Sequence, residues 1–430
     1  MTKSARAGLA VAVAAALTAP AAFATNGYFA HGYSIKEKGL VGAGVALPQD
    51  SLAAATNPAG MVMVGGRIDA GASLFSPRRS YTVSGGPSPL PAFGLVPETV
   101  DSDSEYFLIP HFGWNKMLDS DSSFGVSVYG NGGMNTDYPK SAGGGAGTFY
   151  GGAFGGKANT GVDLAQLFVN VSYARKITPT SSWGVSPVFA YQRFKATGLA
   201  AFGAFGFSSD PNNLTDNGYD SSTGFGLKAG IAGEVAPGVT LGGSYQTKMN
   251  MSEFDKYKGL FAEKGDFDIP ATATVGLAWK ATPSGTVVFD VQKIWYSDVA
   301  AVGNPMLPNL TTSQLGNNNG AGFGWDDMTI YKLGYQWNTA QDWTWRVGYS
   351  KGDQPIPSSE VLFNILAPAV MEQQFTFGFT TQLSKSSEFT FAAMYAPEEE
   401  VKGTNPLDPA QTITLRMDQY ELAASWGWKF

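Results

Sequence analysis

The sequence predicts an all-β fold: a 14-stranded antiparallel transmembrane β-barrel with an N-terminal hatch, or plug, inside the lumen. Three observations predict it. Apolar and polar side chains alternate strictly over many short segments, as where Tyr331, Leu333, Tyr335 and Trp337 interleave with Lys332, Gly334 and Gln336. The connections between these segments are short and long in turn. The chain closes on an aromatic strand that carries Tyr420, Leu422, Trp426, Trp428 and Phe430 on one face. Neighbouring side chains of a strand point to opposite faces, so each segment has one oily and one polar side, as a barrel wall in lipid requires.

The alternating segments have their cores at 66–82, 104–116, 122–136, 164–176, 182–196, 221–235, 238–252, 267–281, 285–297, 326–338, 342–351, 372–384, 387–396 and 414–430. An even count suits a bacterial barrel with both ends on the periplasmic side. Tight turns follow the even strands, among them 118–121, 178–180, 236–238 and 384–386. Mostly long connections follow the odd ones, at 83–103, 137–163, 197–220, 253–266, 298–325, 352–371 and 397–413. Short periplasmic turns alternating with long external loops are the outer-membrane arrangement, which a soluble sandwich or propeller does not need. In a soluble sheet the last strand would leave two tryptophans and a phenylalanine on an open edge, an aggregation hazard that closure removes.

Composition agrees with this class. The 430 residues include 54 glycines and no cysteine, with 13% aromatic and 15% charged residues. Past the N-terminus no run of about 18 apolar residues offers a membrane-spanning helix. A formal charge of −7 leaves no basic surface for nucleic acid. Without cysteine there are no disulfides and no thiolate metal sites. At the start, Lys3 and Arg6 precede an apolar stretch at 8–19 and the small-x-small sequence Ala22-Phe23-Ala24. That pattern is an export signal, so residues 1–24 are expected to be a cleaved signal peptide and the destination the cell outer membrane. Residues 66–430 form the expected barrel.

Residues 25–65 behave differently. They lack sustained alternation, yet Leu40, Val41, Val45, Leu52, Met61 and Val62 need burial. A compact hatch in the lumen meets that need. The stretch also holds Gly39-Leu40-Val41-Gly42-Ala43-Gly44 and, further on, the triplet Asn57, Pro58 and Ala59 followed by Gly60. At these residues the chain resembles the long-chain fatty-acid transporter family of outer-membrane proteins, which includes channels for toluene and related aromatic hydrocarbons. An isolated Asn-Pro-Ala carries little weight. Placed between an export signal and fourteen barrel strands, it is specific.

The resemblance implies uptake of a hydrophobic small molecule, a fatty acid or hydrocarbon, by a monomer without a cofactor. Apolar external loops catch the ligand, hatch movement releases it, and a kink in the third strand opens the wall sideways. Candidate residues follow from this. For capture, one greasy loop carries Leu199, Phe202, Phe205 and Phe207 and another carries Leu362 and Phe363; apolar loops facing water either fold over each other or serve a ligand. For the lateral gate, Gly130, Asn131, Gly132 and Gly133 interrupt the third strand, and glycines there favour a bulge or kink. For a ligand headgroup, the resemblance implies Arg193, with Lys332 on the polar face of the tenth strand as a second candidate. Plain alternation groups Arg193 with Phe189 and Tyr191, so it points inward only across a bulge; an arginine snorkelling to the interface is the alternative.

Enzymatic readings are poor. His31 and His111 are the only histidines, His111 is expected to face the lumen, and no serine partner stands at a telling spacing. No metal-ligand cluster or phosphate-binding loop is present. Asp326, Asp327 and the run 398–400 sit at expected loop edges, where carboxylates sometimes hold cations that bridge lipopolysaccharide, although a solvated charge run is the simpler reading. Outer-membrane lipid and lipopolysaccharide are the other expected partners. Two alternatives compete with hydrophobic uptake: a general porin, which wants charged lumen rings and a polar constriction loop, and a structural or adhesive protein that merely displays loops.

Overall fold

The computed structural model describes residues 25–86, 95–139, 159–339 and 342–430; the expected signal peptide at 1–24 lies outside them. Fourteen antiparallel strands form one sheet in which each is hydrogen-bonded to its neighbours in sequence. They are β1 (Arg67–Gly85), β2 (Phe107–Met117), β3 (Ser122–Asn135), β4 (Gly161–Thr178), β5 (Ser181–Thr197), β6 (Asp220–Ala236) and β7 (Val239–Gln246). The second half comprises β8 (Thr272–Trp279), β9 (Gly285–Ile294), β10 (Met328–Asn338), β11 (Trp343–Gly352), β12 (Gln373–Gln382), β13 (Ser387–Asn405) and β14 (Asp408–Lys429). Two short segments extend the sheet, Thr99–Asp101 on β1 and Asn250–Met251 on β6. The terminal strand β14 pairs with β1 from Arg67↔Lys429 to Gly85↔Gln411, which closes the barrel.

The alternation sorts side chains as lipid demands. Exposed positions are oily: Leu74, Phe225, Leu241, Val275, Leu333, Phe377 and Leu422 all face outward. Buried positions on the strands are often polar, with Ser127, Asn170, Ser186 and Gln192 wholly shielded. A water-soluble sheet has the reverse. Stacked Tyr335 and Trp337, with ring centroids 5.5 Å apart, and stacked Trp343 and Trp345, 5.3 Å apart, flank the turn between β10 and β11. Amphipathic rings at that level suit a membrane–water interface. No helix among the described residues is long and apolar enough to cross a membrane.

One connection departs from expectation. The stretch 397–413 is not a loop, because β13 and β14 stay paired to Asn405↔Asp408, with a bulge between Ala396 and Glu399. Its inner side still buries Val401, Ile413 and Leu415. Its outer side carries Glu398, Glu400, Lys402 and Arg416, with Arg416 Nη2 3.0 Å from Glu400. Polar residues on both flanks of a proline imitate loop chemistry, yet beyond the bilayer a strand needs no oily outer face.

Residues 25–65 pack against the inner face of the sheet. Their partners lie on strands all around the ring, which places the segment inside it. The Gly44 and Val45 amides donate to Asp290 on β9 at 2.8 and 3.0 Å, and Ser182 on β5 donates to the Ala59 carbonyl at 2.8 Å. Asn115 on β2 donates to the Met61 carbonyl at 2.8 Å. Two one-turn helices, α1 (Ile35–Lys38) and α2 (Ala53–Thr56), carry much of the remaining contact. On α1, Lys36 pairs with Glu388 of β13 and Lys38 with Glu421 of β14. Glu388 also receives Arg67 Nη2 at 2.6 Å. Each of these ions is at least nine-tenths buried, so each needs its partner: a buried charge left alone is strongly destabilising.

Replacing Glu388 by Ala leaves Lys36 without its carboxylate and Arg67 with Asp69 alone, and is expected to weaken the seating of the lumen segment by about 3–5 kcal/mol. Trypsin should then cut after Lys36 and Lys38 while the barrel keeps its heat-modifiable migration; unchanged protection would show that these ion pairs do not hold the segment.

Candidate functional site

The outer ends of the strands are capped by loops that lean on one another. Leu199, Phe202 of helix α3 (Ala200–Ala204), Phe363 and Leu366 line an apolar cleft with ≈ 460 Å³ of empty volume, together with Val162, Phe194, Leu260, Phe261 and Phe323. The Phe202 and Phe363 rings meet edge-on at 5.5 Å. Polar ties hold the walls together. Trp325 donates to Asn364 at 2.6 Å, Asn364 donates to the Phe323 carbonyl at 2.7 Å, and Thr136 donates to the Leu366 carbonyl at 2.8 Å. Glu360 accepts from the Met306 amide at 2.8 Å, and burial pushes its carboxyl above the usual range. In the neighbouring loop, burial and then Asp268 push the Asp266 carboxyl up to about 7. These ties leave a space bounded almost wholly by carbon.

Four of the capture candidates come together here. Leu199, Phe202 and Phe363 line the cleft, and Leu362 is buried beside Phe363 in the same apolar cluster. Phe207 is half-buried against that cluster, whereas Phe205 is 41% exposed. The sequence reading missed Phe194, Phe261 and Phe323. Phe194 was legible, since it stands on the face of β5 opposite Arg193; the other two lie in loops with no period.

Below the cleft runs a chain of aromatic rings. Phe261 contacts Phe267 at 4.9 Å, and Phe323 contacts Trp325 at 6.2 Å. Phe267 and Trp325 each lie 5.9 Å from Tyr28 near the start of the lumen segment. Tyr296 completes the group at 5.1 Å from Tyr28 and donates its hydroxyl to the Asn26 carbonyl at 2.5 Å.

The wall is interrupted beside these rings. β2 pairs with β3 only from Phe112↔Val128 to Met117↔Ser123. Yet β2 follows β1 up to Phe107, and β3 follows β4 up to Asn135↔Asp163. The outer halves of β2 and β3 therefore part. The β3–β4 register slips between Gly130 and Gly132, so Asn131 is the extra residue of a bulge, where the glycine run led us to expect one. Pro110, with no N–H to offer, lies in the unpaired stretch of β2. The edge of β3 left by β2 is taken by the lumen segment. Phe29 forms an antiparallel bridge with Gly132, the Ala30 amide donates to the Asn131 carbonyl at 2.9 Å, and the Gly133 amide donates to the Tyr28 carbonyl at 2.9 Å. A Cβ at Gly132 would collide with that Tyr28 carbonyl, so this approach requires glycine. Asn131 turns inward and donates to Gln166 at 3.0 Å, and Tyr33 donates to it at 3.1 Å.

The Asn-Pro-Ala triplet sits at the other end of the segment. The Asn57 side chain donates to the carbonyls of Val45 at 2.8 Å and Ile231 at 3.1 Å and accepts from the Ala59 amide at 3.0 Å. It thus caps the 3-10 turn Pro58–Met63, with Pro58 at a position where its missing N–H is no loss.

The headgroup candidates fare differently. Arg193 is not in the lumen. β5 has no bulge there, Gln192 and Phe194 beside it turn inward, and its guanidinium lies outside the wall over Tyr219 at 4.8 Å. Lys332 does point inward, but its ammonium donates to the carbonyls of His31 at 3.0 Å and Gly42 at 3.5 Å, against the lumen segment and away from the cleft. His111 is buried on the inward side of β2, and no cluster of metal-ligating residues occurs among the described residues.

The comparisons fit this geometry. The sequence matches the family described as outer membrane protein transport protein (OMPP1/FadL/TodX) over residues 11–424. Among solved structures, the toluene transporter TodX of Pseudomonas putida is similar at 17% identity with a TM-score of 0.66, over 94% of this chain and 100% of that one. A Pseudomonas aeruginosa FadL homologue is similar at 14% identity with a TM-score of 0.67, over 94% and 100%. The Ralstonia pickettii toluene transporter TbuX follows at 16% and 0.63, over 93% and 99%. Identities this low speak for the fold alone, and a search of curated proteins gave no match. With the match running through nearly all of the sequence, the chain belongs to the OMPP1/FadL/TodX family of outer-membrane transport proteins.

Proposed function

We propose that this channel takes hydrophobic small molecules, fatty acids or hydrocarbons, from the outside of a Gram-negative cell and releases them sideways through its wall. Residues 1–24 act as the cleaved export signal, 25–65 as the hatch and 66–430 as the barrel. The ligand partitions into the apolar cleft at Phe202 and Phe363, gaining roughly 0.8 kcal/mol per buried CH₂. It then passes the ring chain to Tyr28. When residues 28–30 withdraw from β3, the gap between β2 and β3 opens towards lipid. The observation that carries this reading is the bridge from Phe29 to Gly132 on the very edge that β2 leaves. A general porin is disfavoured because residues 25–65 stand across the bore, bonded to strands all around the ring. Neighbours described as toluene transporters and a FadL homologue are in keeping with a hydrophobic cargo.

Two outcomes test the path. Across the Phe29↔Gly132 bridge Ala30 lies opposite Asn131, its amide on the Asn131 carbonyl. In this cysteine-free chain, Ala30→Cys with Asn131→Cys ties the lumen segment to β3 once oxidised. Uptake of labelled laurate or toluene should stop in the cross-linked protein, verified by mass, and return on reduction; normal transport with residues 28–30 tied to β3 would remove the lateral route. For capture, Phe202→Ala with Phe363→Ala should weaken ligand binding roughly tenfold, since each ring offers part of the 1.5–3 kcal/mol of a buried aromatic. Undiminished binding would mean that the loops are only a lid.

A further inference from the structure

We propose that Arg79 binds the carboxylate of an ionised amphiphile at the outer rim of the wall gap, and that this exchange loosens the rim. The inference rests on the cleft and gap being the transport path, and it names the cargo class that path selects.

Arg79 stands on the inward face of β1 and is 4% exposed. Its surroundings are apolar and aromatic: the guanidinium lies 5.7 Å from the Phe107 ring centroid, in the buried cluster that includes Tyr81 and Val83. The fork spans the gap. Nη1 donates to the Asn135 carbonyl at the end of β3, and Nη2 donates to the Ser104 carbonyl just ahead of β2. The two flanks that part between Phe107 and Val128 are thus strapped together by one side chain, with help from the Asp103 amide donating to the Asp137 carbonyl at 2.9 Å. The Arg79 Nε is buried with no hydrogen-bond partner.

The charge is left poorly compensated. Arg67, Lys36 and Lys38 each meet a carboxylate, whereas the hydrogen bonds of Arg79 go to two neutral carbonyls, and Glu105 and Asp163 act on it only from beyond ion-pair distance. A buried guanidinium gains most from a carboxylate, which takes two parallel N–H donors in one plane. The cleft is adjacent. Thr136, next to Asn135, donates its amide to the Val162 carbonyl at 2.9 Å and its hydroxyl to the Leu366 carbonyl at 2.8 Å, and both of those residues line the cleft. A carboxylic acid with its chain in the cleft meets the buried Arg79 by way of the wall at Thr136 and Asn135. When its carboxylate takes the fork, Ser104 and Asn135 lose their common strap. A neutral hydrocarbon leaves the strap in place.

The test compares uptake of tritiated laurate and tritiated toluene by cells carrying the wild type, Arg79→Met or Arg79→Lys, with barrel assembly judged by heat-modifiable migration. A charge-assisted pair of this kind supports a loss of roughly tenfold or more. We expect Arg79→Met to lose laurate uptake by that factor and to keep toluene uptake within about twofold. Arg79→Lys, which keeps the charge without the fork, should fall between them for laurate, and it decides the matter should the Met variant fail to assemble. Equal loss of both ligands would reduce Arg79 to a structural strap, and no loss of either would end its role. A wild type that takes up neither ligand would overturn the transport reading itself.

Discussion

Hydrocarbon offers no partner to a backbone N–H or C=O, so every such group in the wall must be satisfied by the protein itself. Thirteen sequential pairings and the closure of β14 on β1 meet that demand almost everywhere. The exception lies between the outer halves of β2 and β3. There the bulge at Asn131 turns β3 away from its neighbour, and the freed edge is satisfied from inside by Tyr28 and Ala30. The parting of β2 from β3 and the pairing of Phe29 with Gly132 thus answer one hydrogen-bonding requirement. Residues 28–30 are joined to β3 by two backbone hydrogen bonds, each of modest net worth, and Tyr28 and Phe29 are further held by their ring contacts with Tyr296, Phe267 and Trp325.

The rest of the lumen segment is held differently. Around α1 and Asn57 its contacts are buried ion pairs and hydrogen bonds to strands on opposite sides of the ring. Such groups fix position strongly, since breaking any one leaves an unpaired polar atom in a dry interior. Residues 28–30 carry no charge, so their withdrawal breaks ring contacts and hydrogen bonds but no ion pair, whereas that of 35–63 breaks buried ion pairs as well. In the proposed cycle only the leading residues need to move, and residues 35–63 stay in place while they do so. This is compatible with passage of an oily molecule without an open aqueous pore.

Much of the fold was legible because lipid imposes a two-residue period on every spanning strand. All fourteen strands were found, and the glycine run at 130–133 announced its bulge. The period fails as a guide outside the bilayer. At 397–413, water on the outer face permits Glu398, Glu400 and Lys402, and the strand read as a loop. Arg193 shows the opposite lesson: simple alternation set it outside, and only an assumed bulge could bring it in. The cleft was half legible. Greasy runs at Leu199 and Leu362 stood out, but Phe261 and Phe323 reach it from aperiodic loops. The pairing of Phe29 with Gly132 involves so few residues that no pattern marks it, and Arg79 gains its meaning only from the two carbonyls that a parted wall brings to it.

The central claim is that residues 28–30 leave β3 when a ligand is bound. Amide hydrogen exchange at Ala30 and Gly133, followed in the detergent-solubilised protein with and without saturating laurate or toluene, measures this directly. The account predicts faster exchange at both amides on ligand addition, while β3–β4 amides such as those at Val126 and Val128 stay protected. Equal protection at Ala30 and Gly133 with the ligand demonstrably bound would contradict it.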